Sequence, residues 1–458
     1  MVILLLGIWV AVEDVQAQVV MEEEVRFHSG NVTLHGTVLI PERSSPGPAI
    51  VLVHGAGLGR RDENRAEAEA FVSEGFLVLI YDKRTEGYAA DPVGGRSYSL
   101  LADDAVAAVQ MLQQRDDVDP TQVGLWGLSE GGWVVPLAAT RSSDIAFAIT
   151  VAGGGIGPAE QSAWATEGAL RQRGVTSKGS LRALADHTYR FLVSAEFFAE
   201  GMYDPVPVLE QLQQPVLAIW GSLDRIMPVA ASARAMQQAL ERGGNQHYVL
   251  RVIPDASHSA RTVADSETAG ALAPGYVEMM VAWIRDVTDA DPPGPSADAL
   301  PADERPTRPW VTDPQGFARW ELQLGFFTAF HLAFGSYFVA AGARRLRRAG
   351  PRPAPGRWSA RIIAALGLIT TWGVYVFTGY IAATSGEEVA VVVAGRPAGW
   401  LTLQLLAMTI LLATLWLAFS WYQGYRAIRG AERIRIAQLL VGVILFVPWA
   451  FWWQLFSL

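Results

Sequence analysis

The chain has 458 residues, a formal net charge of −9 and no cysteine. That excludes a disulfide framework, a thiolate metal site and a cysteine nucleophile. Lysine occurs only at Lys83 and Lys178, and no basic patch suited to nucleic acid is found in the first half.

In chain order, residues 2–12 are an apolar stretch of signal-peptide length, and Val15-Gln16-Ala17 offers a cleavage point. Residues 1–17 are therefore expected to be a signal peptide or N-terminal hydrophobic segment, although no basic residue precedes the apolar run. The competing reading is a first buried strand. Residues 22–288 alternate strand-like apolar runs with amphipathic stretches, the pattern of an α/β domain. Strands are expected at 25–28, 34–40, 49–53, 76–81, 122–126, 146–151, 216–220 and 248–253. Helices are expected at 65–73, 100–115, 132–140, 230–241 and 275–287. This order gives a mostly parallel sheet with an antiparallel start.

The interval 156–212 is too long for a simple connection and carries Trp164, Tyr189, Phe191, Phe197, Phe198 and Tyr203 at helical spacing. It is expected to be a helical cap that selects substrate; the alternative is a packing elaboration without lid motion. Residues 289–314 then hold seven prolines among small and charged residues. Such chain buries little apolar surface, so 289–318 is expected to be a linker that spaces the α/β domain from the C-terminal region.

Beyond the linker lie four runs nearly free of charge, at 322–342, 362–383, 400–421 and 436–456. Each is about 20 residues, the length that spans a bilayer core as a helix. Residues 319–458 are thus expected to be an all-α transmembrane domain, with the lipid bilayer as a partner. Arg344, Arg345, Arg347, Arg348, Arg352, Arg357 and Arg361 lie between the first and second runs, and Arg426, Arg429, Arg433 and Arg435 between the third and fourth. The middle loop has Glu387, Glu388 and only Arg396. By the positive-inside rule the arginine-rich loops are cytoplasmic. The α/β half then faces outward, periplasmic on a bacterial inner membrane. Gln323, His331, Gln404 and Gln438 inside the runs are read as helix–helix hydrogen bonds or interfacial groups rather than a transport path. The ten tryptophans from Trp310 onward fit interfacial belts.

The chemistry concentrates at Gly127-Leu128-Ser129-Glu130-Gly131, a G-x-S-x-G pattern between a strand and a helix. In that context a sharp turn lifts the serine hydroxyl above the sheet edge. A serine hydroxyl needs a base, and the base needs a carboxylate to fix its tautomer. Asp224 follows the strand at 216–220, and His258 follows the last strand; Asp255 is a rival carboxylate. The expected triad is Ser129, Asp224 and His258. An oxyanion hole is expected from the backbone N–H groups of Ala56, in His54-Gly55-Ala56-Gly57, and of Glu130, with Gly57 the next possibility. His54 is read as orienting that loop.

The chain resembles the α/β-hydrolase superfamily, specifically bacterial esterases and dienelactone-hydrolase-like proteins related to the prolyl oligopeptidase catalytic domain. The resemblance covers about residues 25–288 and rests on Leu52-Val53-His54-Gly55-Ala56-Gly57, Tyr81-Asp82-Lys83-Arg84, the Ser129 motif through Gly132, and Gly221-Ser222-Leu223-Asp224 with His258. Thr85-Glu86-Gly87 departs from the Gly-x-Gly that often comes next in the family. The implied activity is hydrolysis of a small-molecule ester or acyl substrate by a membrane-tethered serine hydrolase, through an acyl-enzyme and without metal or organic cofactor. Peptidase or amidase activity is the alternative within enzymes, and a membrane sensor or transport accessory is the alternative outside them. No known family is suggested by the membrane half.

Overall fold

The computed structural model describes residues 21–42, 46–85, 97–263, 270–302, 305–307, 315–346, 356–424 and 430–457. The expected signal segment, Glu86-Gly87, and Arg347, Arg348, Arg352, Arg426 and Arg429 of the basic loops lie outside these residues.

Strands β1 (Met21–Ser29), β2 (Val32–Ile40), β3 (Gly47–Val53), β4 (Leu77–Tyr81), β5 (Val118–Leu128), β6 (Ala148–Val151), β7 (Val216–Gly221), β8 (Tyr248–Ile253) and β9 (Ser296–Ala297) form one sheet. Their spatial order is β1-β2-β4-β3-β5-β6-β7-β8-β9, antiparallel for β1-β2 and β2-β4 and parallel thereafter. Because side chains alternate along a strand, each central strand feeds both faces. Ala49, Val51 and Val53 of β3 join the core on one side, and Ile50 and Leu52 the core on the other. Helices α1 (Arg65–Ser73), α2 (Tyr98–Gln113) and α3 (Gly131–Ala139) follow β3, β4 and β5. The chain goes from β3 through α1 to β4 on one flank, then through α2 to β5 on the other. The loops after β3 and β5 therefore diverge, opening a crevice at their C-terminal ends, the usual ligand position in such sheets.

The interval after β6 is helical: α4 (Pro158–Gln172), α5 (Lys178–Leu181), a π-helical turn Arg182–His187, α6 (Thr188–Ser194) and α7 (Val206–Leu209). Helices α8 (Val229–Arg242) and α9 (Tyr276–Thr288) complete the domain, on the faces of α2 and α1 respectively.

The proline-rich stretch, expected as a linker, also makes contacts with the α/β domain. Ser296–Ala297 adds to the sheet edge beside β8, and Val252 N–H donates to Asp298 Oδ2 at 3.0 Å. Arg305 lies 4.3 Å over the Trp164 ring and donates to the Trp164 carbonyl. Prolines remove donors but leave the small residues between them able to pair with an edge strand, which composition does not reveal.

Among the described residues, four helices are long and apolar enough to cross a membrane: Trp320–Ala343, Arg357–Ala383, Ala398–Gly424 and Glu432–Trp452. The first is α10 (Trp320–Phe330) continued through a π turn, His331–Gly335, into α11 (Ser336–Leu346). The others belong to α12 (Arg357–Ala383), α13 (Ala398–Gly424) and α14 (Gly430–Trp452). The last helix begins earlier and ends earlier than the hydropathy run at 436–456. Its first turn hides charge: Arg435 pairs with Glu432 at 2.9 Å and lies 4.4 Å over the Tyr337 ring.

The polar residues of the spans are mostly partnered. Gln323 Oε1 accepts from Tyr375 Oη, Trp449 Nε1 and Trp453 Nε1 at 2.8, 2.9 and 3.2 Å. Trp372 donates to His331 Nε2 at 3.0 Å, whose Nδ1 faces the Phe327 carbonyl. Gln404 donates to the carbonyls of Gln454 and Ser457, and Gln438 is exposed. Trp400, Trp449 and Trp453 are fully buried, which removes them from the expected interfacial belt.

The cap packs on the bundle. Leu170, Val175, Leu181, Ala183 and Leu184 share one apolar core with Phe330, Trp449 and Trp453. Thr176 and Ser177 N–H both donate to the Gly395 carbonyl, and His187 stacks on Trp452 at 4.5 Å. Burial pushes the His187 imidazole down to about 4, against the opposing pull of Asp186. A histidine depressed by docking favours the docked state fully above its free value and loses that contribution as pH falls between about 6.5 and 4. Thermal unfolding of the full chain in detergent is expected to weaken across that window, and His187→Phe to flatten the dependence while keeping the stack.

Candidate active site

The elbow at Ser129 is built by close packing. An added Cβ at Gly127 would sit 2.4 Å from the Gly131 carbonyl oxygen, and one at Gly132 would sit 2.3 Å from Gly153 Cα. Ser129 itself has φ +54°, a strained backbone for a residue with a side chain. Its N–H donates to the Val151 carbonyl at 2.8 Å and its carbonyl accepts from Gly132 at 2.9 Å, which fixes the turn. The side chain therefore leaves the C-terminal end of β5, half-buried, in the crevice between the β3 and β5 loops.

Asp224 and His258 are brought together from the ends of β7 and β8. Gly221 makes this possible, since a Cβ there would lie 2.2 Å from the carbonyl oxygens of Ala256 and Ser257. Asp224 Oδ1 accepts from the N–H groups of Ile226 and Met227, both at 2.8 Å. Its other oxygen is 2.8 Å from His258 Nδ1, with the carboxylate side chain fully buried and the imidazole 17% exposed. A buried carboxylate on Nδ1 fixes the proton there and leaves Nε2 as the basic nitrogen. Asp255, the rival, is exposed, and its backbone N–H bonds to Ser222 Oγ. The histidine loop is anchored by a pair that no local sequence pattern marks: Arg261 donates to buried Glu67 of α1 at 2.6 Å. Burial pushes the Glu67 carboxyl up despite the arginine.

The loop after β3 lies beside the nucleophile. An added Cβ on Gly55 would be 3.6 Å from Ser129 Cβ. His54 is buried, with Nε2 on the Tyr81 carbonyl and Nδ1 3.3 Å from Asn64 Nδ2. Burial pushes its imidazole below the ordinary range, so it is a neutral strut between β3 and β4. Ala56 and Gly57 are exposed, and Gly57 takes φ +123°, open to glycine alone.

Asp82, Lys83 and Arg84 each tie down a different element. Asp82 accepts from Arg61 Nε and Nη2 at 3.0 and 2.7 Å; burial raises its carboxyl, but these bonds hold it below the usual value. Arg84 pairs with buried Asp104 of α2. Lys83 Nζ sits 2.8 Å from Glu130 Oε1 and donates to the Gly55 carbonyl at 2.5 Å. These side chains are 3% and 1% exposed. One ammonium thus holds the β3 loop against the residue that follows the serine. The sequence offered a hint, because Lys83 is one of only two lysines in a chain rich in arginine, but nothing in it connects positions 83 and 130. Among the described residues, no group of three or more His, Cys, Asp or Glu gathers in metal-binding geometry.

Removing one partner of a buried ion pair leaves the other charge unpaired. Lys83→Met is therefore expected to cost about 3–5 kcal/mol in denaturant unfolding, and adding Glu130→Gln to recover a large part of it. A double change that costs the sum of the singles would contradict the pairing.

Residues 65–273 match the prolyl oligopeptidase family. A quorum-quenching protein, AidA, of Acinetobacter baumannii is 33% identical over 132 residues, 28% of this chain and 42% of that protein. The esterase EstD of Thermotoga maritima is 35% identical over 126 residues, 25% of this chain and 30% of that protein. The chain spans less than half the length of these two relatives. An uncharacterized Mycobacterium tuberculosis protein is 28% identical over 219 residues, 48% of this chain and 66% of that protein. The sheet order and the glycine-packed serine elbow are those of an α/β-hydrolase fold, and residues 65–273 are similar to the prolyl oligopeptidase family.

Proposed function

We propose that the protein is a membrane-tethered serine hydrolase that cleaves carboxylic esters through an acyl-enzyme. The observation that carries this reading is the buried Asp224 carboxylate held 2.8 Å from His258 Nδ1 at the sheet edge that also presents Ser129 on a strained elbow. His258 Nε2 takes the hydroxyl proton as Ser129 Oγ bonds to the ester carbonyl carbon, and the oxygen gains negative charge. The N–H groups of Ala56 and Glu130 receive that charge. Collapse breaks the ester C–O bond, and the alcohol leaves with the proton from His258. Water then repeats the sequence on the acyl-enzyme, releasing the acid and restoring Ser129. The substrate acyl group passes the cap, which reaches the acid loop through Gln161 Nε2 donating to the Ile226 carbonyl at 2.7 Å. The prolyl oligopeptidase match favours a second reading, peptide or amide cleavage by the same residues.

A fluorophosphonate probe is expected to label the full chain in detergent and to fail on Ser129→Ala. Asp224→Asn should lower kcat on p-nitrophenyl esters about 10⁴-fold through the wrong histidine tautomer, whereas Asp255→Asn should leave it nearly unchanged. Labelling that survives Ser129→Ala would sink the assignment, and a parallel panel of peptide anilides decides between ester and peptide.

The arginine-rich loops support an orientation with the hydrolase domain outside the cytoplasmic membrane. Reporter fusions after Asp289 and after Arg348 are expected to read outside and inside respectively; the reverse would overturn the orientation.

A further inference from the structure

The cap and the bundle line an open cavity that the proposed hydrolysis does not use. It has a volume of about 760 Å³ and lies between α6 and the hydrolase-facing ends of α10 and α12. This falls within the range of about 300–1,000 Å³ of small-molecule sites. Its walls are apolar, with Phe191, Leu324, Phe327 and Trp372 among them. The lining runs from Trp320 to Phe327 on α10 and from Trp372 to Gly379 on α12, about 10 Å along each axis at 1.5 Å per residue. Leu324, Trp372 and Phe197 on its walls are each at least half exposed, so its mouth is continuous with the apolar outer surface of helices able to cross a membrane.

A second cavity of about 560 Å³ shares Glu196 with the first. Its character is different. Ser194, Gln315, Arg319 and Glu321 line it, and Arg319 donates to Glu321 at 3.0 Å. Trp320, between Arg319 and Glu321 in sequence, turns into the apolar chamber instead. An apolar chamber walled by two helices long enough to cross a membrane, next to a more polar one with which it shares Glu196, matches a molecule with an acyl chain and a polar head. It does not match a soluble metabolite, which would leave the apolar walls unused, nor a protein helix, which is about 10 Å across and would require the cap to move.

We propose that this paired cavity is a binding site for a single-chain membrane amphiphile, with the acyl chain between α6, α10 and α12 and the head at Ser194 and Arg319. It stands independently of the Ser129 chemistry. The chain belongs to a lysophospholipid or to a free fatty acid, and both present the same acyl group.

Gly379 supplies the test, because it lines the apolar chamber and an added Cβ there meets nothing within 4 Å. Gly379→Leu therefore adds bulk at the chamber wall, where Gly379 is exposed, without a backbone clash. Gly325 also has nothing within 4 Å, is exposed and lies outside the lining, so Gly325→Leu is the control. The full chain is reconstituted in nanodiscs and photolysed with a diazirine-bearing palmitic acid in one arm and the same acyl chain on lysophosphatidylcholine in the other. Adducts are mapped by peptide mass spectrometry. Labelling of α6, which belongs to the cap rather than to a span, is expected from at least one probe, and the arm that labels identifies the source. Gly379→Leu should reduce it at least about tenfold, with Gly325→Leu unchanged and both variants monodisperse on gel filtration. Absence of α6 adducts from both probes, or adducts unaffected by Gly379→Leu, would overturn the proposal. If Gly379→Leu is not monodisperse, Leu324→Trp is read by the same criterion.

Discussion

The sheet edge that carries Ser129 depends on one buried ammonium. Lys83 leaves the end of β4 and bonds at once to the Gly55 carbonyl and to the Glu130 carboxylate. The loop after β3 and the residue that follows Ser129 are thereby held side by side by one side chain. Buried charges of this kind add little net stability relative to a good apolar core, but a half-broken pair is costly, so the arrangement resists partial opening. Around it, each neighbour in the segment has its own anchor, Asp82 on Arg61 and Arg84 on Asp104. Gly59, with φ +60°, lets the chain pass Lys83 at a distance no side chain would permit.

That clamp acts at the point where the connectivity already opens the sheet. With β4 reached on one flank of β3 and β5 on the other, the loops at their ends turn apart. Ser129 and the His54-Gly55-Ala56-Gly57 loop occupy the resulting crevice, while Asp224 and His258 arrive from β7 and β8 further along the same edge. The contact between cap and bundle extends the arrangement to the membrane helices. Leu181, Leu184 and His187 pack against the bundle, while Gln161 of α4 reaches the Asp224 loop, so one helical insertion touches both.

Much of the hydrolase half was legible in the sequence. The eight expected strands all occur, because parallel strands buried on both faces read as continuous apolar runs bounded by glycine and polar turns. The four long helices were legible for a similar reason, since about 20 apolar residues in succession have few other uses. Two kinds of feature were not. The proline-rich stretch joins the sheet edge and packs Arg305 on Trp164, because edge pairing requires only a partner strand of suitable register. The start of α14 admits Glu432 and Arg435 within the helix because they pair with each other and Arg435 lies over the Tyr337 ring, and hydropathy has no account of such pairing.

By itself the sequence determined the α/β order, the serine elbow and the positions from which an acid and a histidine would come, since these follow from periodicity and from glycine at turns. Only the tertiary structure decided that Asp224 rather than Asp255 faces His258, that Lys83 joins Gly55 to Glu130, and that the cap rests on the bundle around an apolar cavity. Those contacts join residues dozens to hundreds of positions apart, and local patterns carry no record of which distant partner closes a hydrogen bond or fills a wall.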